Sequence, residues 1–286
     1  MNPERKELWL NLGCGSVIHP DFVNIDFASS LEGVISHNLL EGIPFESESA
    51  DLVYHSHLLE HFTEEQGLAF LHECYRVLKP GGVIRIAVPD LETIAREYLK
   101  WMEAADNGDE VAAQNYDWIM LEFFDQVVRT ESGGRMKDYL AKEHLPNEQY
   151  LLSRWGGEFT GLRKALLAAR KSDHGAQSGE GKVETGRRKG SVRAALGKLL
   201  FSGEKEYRPS DSELIREAEF RKKGEIHRWM YDRYSLARIL VSAGFTGPVK
   251  MEAGHSQIPG WSSFGLDTRP DGSVRKPDSL FMEARK

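Results

Sequence analysis

Residues 8–26, LWLNLGCGSVIHPDFVNID, decide the fold. Leu8 to Leu12 read as a short β-rich run that ends directly on Gly13-Cys14-Gly15, and Phe22 to Asp26 read as a second run that ends on an acid. Glycines at the carboxyl end of a parallel strand let the backbone turn sharply and approach a ligand closely. An acid closing the second strand of a doubly wound sheet can accept hydrogen bonds from both hydroxyls of an adenosine ribose. A Gly-x-Gly alone also fits a plain strand-ending turn, so the decision rests on the surrounding sequence.

Working outward, Leu52 to His55 and Val83 to Val88 are further strands, with a weaker candidate at Val34 to Ser36. Between them Thr63 and Gln66 stand at capping-box spacing, and Leu68, Leu71, Cys74, Tyr75 and Leu78 recur at helical period. Lys79-Pro80-Gly81-Gly82 is expected to stop that helix in a turn. Strand, helix and strand in this order predict a right-handed crossover in a parallel sheet. From 91 the pattern turns helical: Leu91, Ile94, Ala95, Tyr98, Leu99 and Met102 share a face behind Asp90 as N-cap, and Tyr116 to Val128 carries a wide apolar stripe. Residues 172–191 hold five glycines and seven charges and are expected to be a mobile loop. A charged helix from about Asp211, a helical stretch within 227–245 stopped by Gly244, and strands at Val249–Glu252 and Ser279–Ala284 complete the reading. The expected division is a core formed by 1–90 and 227–286, with 91–226 as a helical insertion.

The net charge of −7 gives no general attraction to a phosphate backbone, so nucleic acid is not expected as a partner. Only Cys14 and Cys74 occur, at no disulfide or zinc-knuckle spacing, which suits a reducing compartment. No apolar stretch is long enough for stable membrane insertion, and a cytoplasmic location is expected. The basic run Arg187-Arg188-Lys189 with Arg193 fits either a solvated loop or a docking segment for an anionic surface.

Position 18, where a dinucleotide fingerprint wants its third glycine, is Ile18, and no phosphate-cradling run follows. The block Asn38-Leu39, Ile43-Pro44-Phe45, Ala50-Asp51-Leu52-Val53, His57-Leu58-Leu59-Glu60-His61 and Arg76-Val77-Leu78-Lys79-Pro80-Gly81-Gly82 resembles the class I S-adenosylmethionine-dependent methyltransferases, in particular the bacterial type 11 group. The resemblance covers 7–90 and resumes over 227–286. It implies an α/β, Rossmann-like fold with a seven-stranded, mostly parallel sheet whose last strand is antiparallel, and S-adenosyl-L-methionine as cofactor. It places Gly13 and Gly15 with Cys14 against the methionine part, Asp26 on the ribose, Asn38 and Leu39 at the adenine, and Ser56 and His57 around the methyl-donor pocket, with Leu12 and His61 as further cofactor-binding residues. Asn38 departs from the family's usual aspartate, although an amide oxygen still accepts a hydrogen bond. Gly15 and Asp26 are only eleven residues apart, so Ser16 to Asp21 must be a short connection without the usual helix. That connection and the ending Lys276-Pro277-Asp278-Ser279-Leu280 are similar to a subgroup associated with surface-polysaccharide or sugar modification.

Methyl transfer from a sulfonium is an in-line displacement, in which alignment in a dry pocket supplies much of the acceleration. For a poorly nucleophilic hydroxyl a base helps. His57 is the first candidate, as proton acceptor or as packing against the cofactor, with His227 and Tyr231 as further candidates where the chain returns to the core. His55, His57, Glu60 and His61 are dense in sequence, but the family motif explains them without a metal, and none is expected; Glu60 and His61 are read as fixing the loop. The acceptor is expected to be a small molecule or glycan precursor bound by the inserted helices, probed by Asp125, Gln126, Arg129, His144 and Arg154 among others. Two alternatives share the sheet: a non-catalytic S-adenosylmethionine-binding protein, and an NAD-linked oxidoreductase, which Ile18 and the short connection disfavour.

Overall fold

The computed structural model describes residues 7–176, 210–222 and 224–286. Seven strands form one sheet: β1 (Trp9–Leu12), β2 (Val23–Asp26), β3 (Val34–Ser36), β4 (Ala50–Ser56), β5 (Leu78–Pro89), β6 (Thr246–Met251) and β7 (Ser279–Arg285). Their order is β3-β2-β1-β4-β5-β7-β6. β1 to β5 pair in parallel, and β7 runs antiparallel to both β5 and β6. This is the Rossmann-like, mostly parallel sheet with an antiparallel last strand that the motifs imply. The helices are α1 (Glu64–Val77), α2 (Leu91–Asp106), α3 (Glu110–Val128), α4 (Gly134–Leu140), α5 (Glu148–Ala176), α6 (Asp211–Lys222) and α7 (Arg233–Ser242). Among the described residues no helix is long and apolar enough to cross a membrane.

Local chemistry sets the boundaries. Thr63 and Gln66 form the capping box of α1, Asp90 caps α2 through the amides of Glu92 and Thr93, and Asp232 with Ser235 boxes α7. The helical stretch expected within 227–245 is confined by that last cap to ten residues. Lys79-Pro80-Gly81-Gly82 is the bulged start of β5 rather than a free turn. Its amide and carbonyl groups are taken by the chain end: Gly81 N donates to Lys286 O, and Lys286 N to Gly82 O. Of the loop expected over 172–191, residues 172–176 belong instead to the end of α5, which runs to Ala176. Residues 177–191, with Arg187-Arg188-Lys189 and Arg193, lie outside the described residues.

Strand alternation divides the sheet into two faces. On one, Leu10, Leu12, Ile25, Val53, Ile84, Ile86, Leu280 and Met282 pack with Phe70, Leu71 and Cys74 of α1 and Leu236 and Leu240 of α7. On the other, Phe22, Leu52 and Tyr54 pack with Ile258, Trp261 and Leu266 from the connection between β6 and β7. That connection occupies the face left open by the short Ser16–Asp21 segment, which contains no helix. It is pinned from below by Arg85, 0% exposed, which pairs with Asp267 at 2.7 Å and Glu283 at 2.7 Å and donates to the carbonyls of Glu252, Ala253 and His255. Helices α3, α4 and α5 form a second core around Trp118, Met136, Leu140, Leu151 and Phe159. α5 breaks at Gly156 (φ 56°, ψ −142°), where a side chain would meet the carbonyl of Val274 and Pro277. The inserted helices therefore dock on the β6–β7 connection at this glycine.

Candidate functional site

A cavity of about 820 Å³ opens at the carboxyl ends of β1, β2 and β4, the place where open α/β sheets receive ligands. Its floor is the β1 turn. Gly13 (φ 63°) and Gly15 (φ 52°) both hold the left-handed region that glycine tolerates. The two glycines differ in function. A side chain at Gly13 would strike Leu58 at 2.9 Å, whereas one at Gly15 would meet no protein atom within 4 Å and would project into open space beside the cavity. Asp26 closes the turn by accepting from Gly15 N at 2.8 Å, leaving Oδ1 with only a long contact from Ala28 N. Cys14 is a buried thiol pushed up to about 11 by burial, so it acts as a small neutral wall.

The far wall is the 3-10 turn Leu39–Glu41. Asn38 caps it, accepting from Leu40 N at 3.2 Å and donating to Glu41 Oε1 at 2.9 Å, so its amide is oriented before any ligand arrives. His37 is fixed through Nε2 to the carbonyl of Gly42 at 2.8 Å. At the opposite end, β4 delivers Ser56 and His57. His57 adopts φ 52°, rare for a residue with a side chain, and its amide donates to Ala87 O at 2.8 Å. Its Nε2 lies 2.7 Å from Ser279 Oγ, and Nδ1 lies 3.3 Å from Glu60 Oε1. Burial, with Lys276 and His227 nearby, holds the imidazole well below the usual range and hence neutral.

Gly13, Cys14, Gly15, Asp26, Asn38, Leu39, Ser56, His57 and His61 all line this one cavity. Leu12 and Tyr231 do not. Alternation turns Leu12 into the helix-side core, and Tyr231, 1% exposed, bridges to Asp90 and puts its phenol under α1, where Gly67 leaves room for it. His227 lies just behind the cavity wall, with its ring 4.9 Å from that of His61. Of the insertion candidates, Arg154 is committed to Glu122, and Asp125 accepts from the amides of Arg135 and Met136, so these side chains brace the helices. The cavity also takes Glu158 from α5 and Arg228, Arg275 and Lys276 from the returning chain, residues whose long-range placement no local pattern announces.

Glu60 is 0% exposed, and neither carboxylate oxygen accepts a hydrogen bond. Burial pushes it up to about 8. Ligand atoms of Glu60, His61 and His227 lie within 4.8 Å of one another.

Comparison with known proteins finds that residues 15–86 match the type 11 family described as a methyltransferase domain. A 61-residue segment is 34% identical to a Mycolicibacterium smegmatis protein named "Probable S-adenosylmethionine-dependent methyltransferase". That segment is 21% of this chain and 23% of the relative, so the match spans about a quarter of the relative's length. Solved structures that align along most of the chain include an S-adenosylmethionine-dependent methyltransferase from Archaeoglobus fulgidus (11% identity, 98% of this chain and 86% of that one, TM-score 0.37). Another is from Mesorhizobium loti (13% identity, 98% and 90%, TM-score 0.33).

Proposed function

We propose, for a chain whose residues 15–86 match a methyltransferase domain, that the 820 Å³ cavity binds S-adenosyl-L-methionine and presents its methyl group to a small-molecule or glycan-precursor acceptor at oxygen. The observation that carries this reading is the joining of the Gly13–Gly15 turn, Asp26, Asn38 and His57 on one cavity. Asp26 offers the ribose a carboxylate already oriented by Gly15 N. Leu39 and the oriented amide of Asn38 flank the adenine, and the open space above Gly15 admits the methionine chain. Ser56, His57 and His61 surround the sulfonium end.

The cofactor supplies an activated methyl group; the protein's part is alignment, exclusion of water and removal of one proton from the acceptor hydroxyl. His57 suits that last step because it is neutral at ordinary pH and its ring is held through Nε2 by Ser279 Oγ, so that Nδ1 is the nitrogen left to take the proton. The inserted helices supply the acceptor side through Glu158, together with Arg228 and Lys276. Calorimetric titration with S-adenosylhomocysteine tests the cofactor reading: saturable binding with a raised melting temperature is expected, and no binding at millimolar ligand overturns it. Transfer of labelled methyl from S-adenosylmethionine into a panel of sugars and hydroxylated metabolites tests the reaction.

A further inference from the structure

We propose that Glu60, His61 and His227 form a divalent-metal site of the zinc class beside the cavity. Two imidazoles and a carboxylate are the donor set of open zinc sites, and here their ligand atoms converge within 4.8 Å. Zinc bonds of about 2.1 Å bring tetrahedral ligand atoms to roughly 3.4 Å apart, a closure that side-chain rotation supplies.

Each donor is prepared for this role. His61 places Nδ1 3.3 Å from the carbonyl of Ile226, so that a proton held there leaves Nε2 with a free lone pair, the usual way a backbone carbonyl orients a metal-binding histidine. His227 and His61 meet edge to face, with planes 82° apart. Glu60 is the second, independent observation: a wholly buried carboxylate with no hydrogen-bond partner is costly unless a cation or proton compensates it. The backbone holds the three together across the 167 residues that separate Glu60 from His227, since Arg228 N and Trp229 N both donate to Glu60 O, at 2.7 and 3.2 Å, and His227 N donates to Gln126 O at 3.0 Å.

The surrounding charges leave room for a cation. Arg129 is spent on Asp125 at 3.4 Å and Glu225 at 3.0 Å. Lys276 and Asp278 also act on Glu60, with opposite effects. His61 lines the cavity, so a bound metal has an open side toward it. If the cavity holds an acceptor as proposed above, that side would receive an acceptor oxygen; the site itself does not depend on that reading.

The test strips the purified chain with chelator, dialyses it against Zn2+ or Co2+, and measures bound metal by mass spectrometry and the visible absorption of Co2+. One equivalent per chain is expected, with affinity lowered more than roughly tenfold in His227→Ala and in Glu60→Gln. His61→Gln serves if either variant misfolds, and His255→Ala, an exposed histidine, is expected to bind like the parent. Substoichiometric metal, or equal binding in all variants, overturns the site and leaves a proton on Glu60 as its compensation. Calorimetry with S-adenosylhomocysteine in the stripped chain reads the cofactor proposal separately.

Discussion

On one face of the sheet α1 and α7 bury a mostly aliphatic layer interrupted by His55, while on the other the β6–β7 connection buries Asn11, Asn24, Arg85 and Glu283 beside a cluster of aromatic rings. The same strands feed both faces, residue by residue in alternation. The aliphatic face draws its stability from area removed from water, at roughly 25 cal/mol per Å², and tolerates substitution according to volume. The polar face gains little net energy from its buried ion pairs, whose attraction repays a large desolvation cost. What it gains is position. Arg85 can satisfy Asp267, Glu283 and three carbonyls only in one arrangement of the connection that carries Arg275 and Lys276 to the cavity.

The largest expected effect breaks that arrangement. Arg85→Met leaves Asp267 and Glu283 buried without their cation and is expected to cost about 3–5 kcal/mol in urea unfolding. On the aliphatic face, Leu71→Ala is expected to cost about 2–5 kcal/mol. The pair is separated by limited proteolysis: Arg85→Met should expose cleavage within 252–278 first, and Leu71→Ala should lower protection evenly. Identical cleavage patterns would remove the distinction between the faces.

Next in size is a change where the two faces meet, at the strand ends. Asp26→Ala is expected to weaken S-adenosylhomocysteine binding by about 1.5–3 kcal/mol, the range of hydrogen bonds to a charged group, with little change in stability. Unchanged affinity by calorimetry would remove Asp26 from the site.

The strand and helix pattern was legible because its signals are local: Thr63 with Gln66, Asp90, the Gly-x-Gly after β1 and the acid after β2 each act within a few residues. The polar face was not. Nothing in the sequence neighbouring Asn11, Arg85 and Glu283 says that residues 252–278 will cover them. The short Ser16–Asp21 connection was visible as a missing helix, but its replacement comes from more than 230 residues downstream, through Ile258 and Trp261. The same limit applies to His227, which reaches His61 only through tertiary hydrogen bonds, and to Leu12 and Tyr231, whose side chains the core takes.

His55 sharpens the comparison from the aliphatic side, being the polar residue there with neither ring nitrogen partnered, its ring against Phe70. Burial holds it down at about 3. The folded form stays neutral while the unfolded chain takes up a proton below pH about 6.5, so this group's stability is full above that value and is lost as pH falls toward 3. Each pH unit in that window costs about 1.4 kcal/mol for one such histidine. His55→Leu should therefore flatten the fall in stability between about pH 6 and 4 by that slope and should not destabilise the chain near neutrality. An unchanged slope would show that His55 is hydrated or paired in solution.

The smallest expected effect lies on the polar face, at Trp261. Its Nε1 donates to Asp267 Oδ2 at 2.9 Å, and its ring sits 4.8 Å from the Arg85 guanidinium and 5.0 Å from Tyr54. Trp261→Phe keeps an aromatic ring in the cluster and removes one donor, while Asp267 retains Arg85 at 2.7 Å and Tyr54 Oη at 2.6 Å. Because the carboxylate is still paired, the cost is expected to be about 1 kcal/mol, that of one hydrogen bond, well below that of Arg85→Met. Urea unfolding of both single variants and the double variant measures this directly. A near-additive cycle would mean that Trp261 and Arg85 hold Asp267 independently. A Trp261→Phe loss as large as that of Arg85→Met would mean that the whole connection rests on one cooperative network, with the ring's place in it as important as the charge.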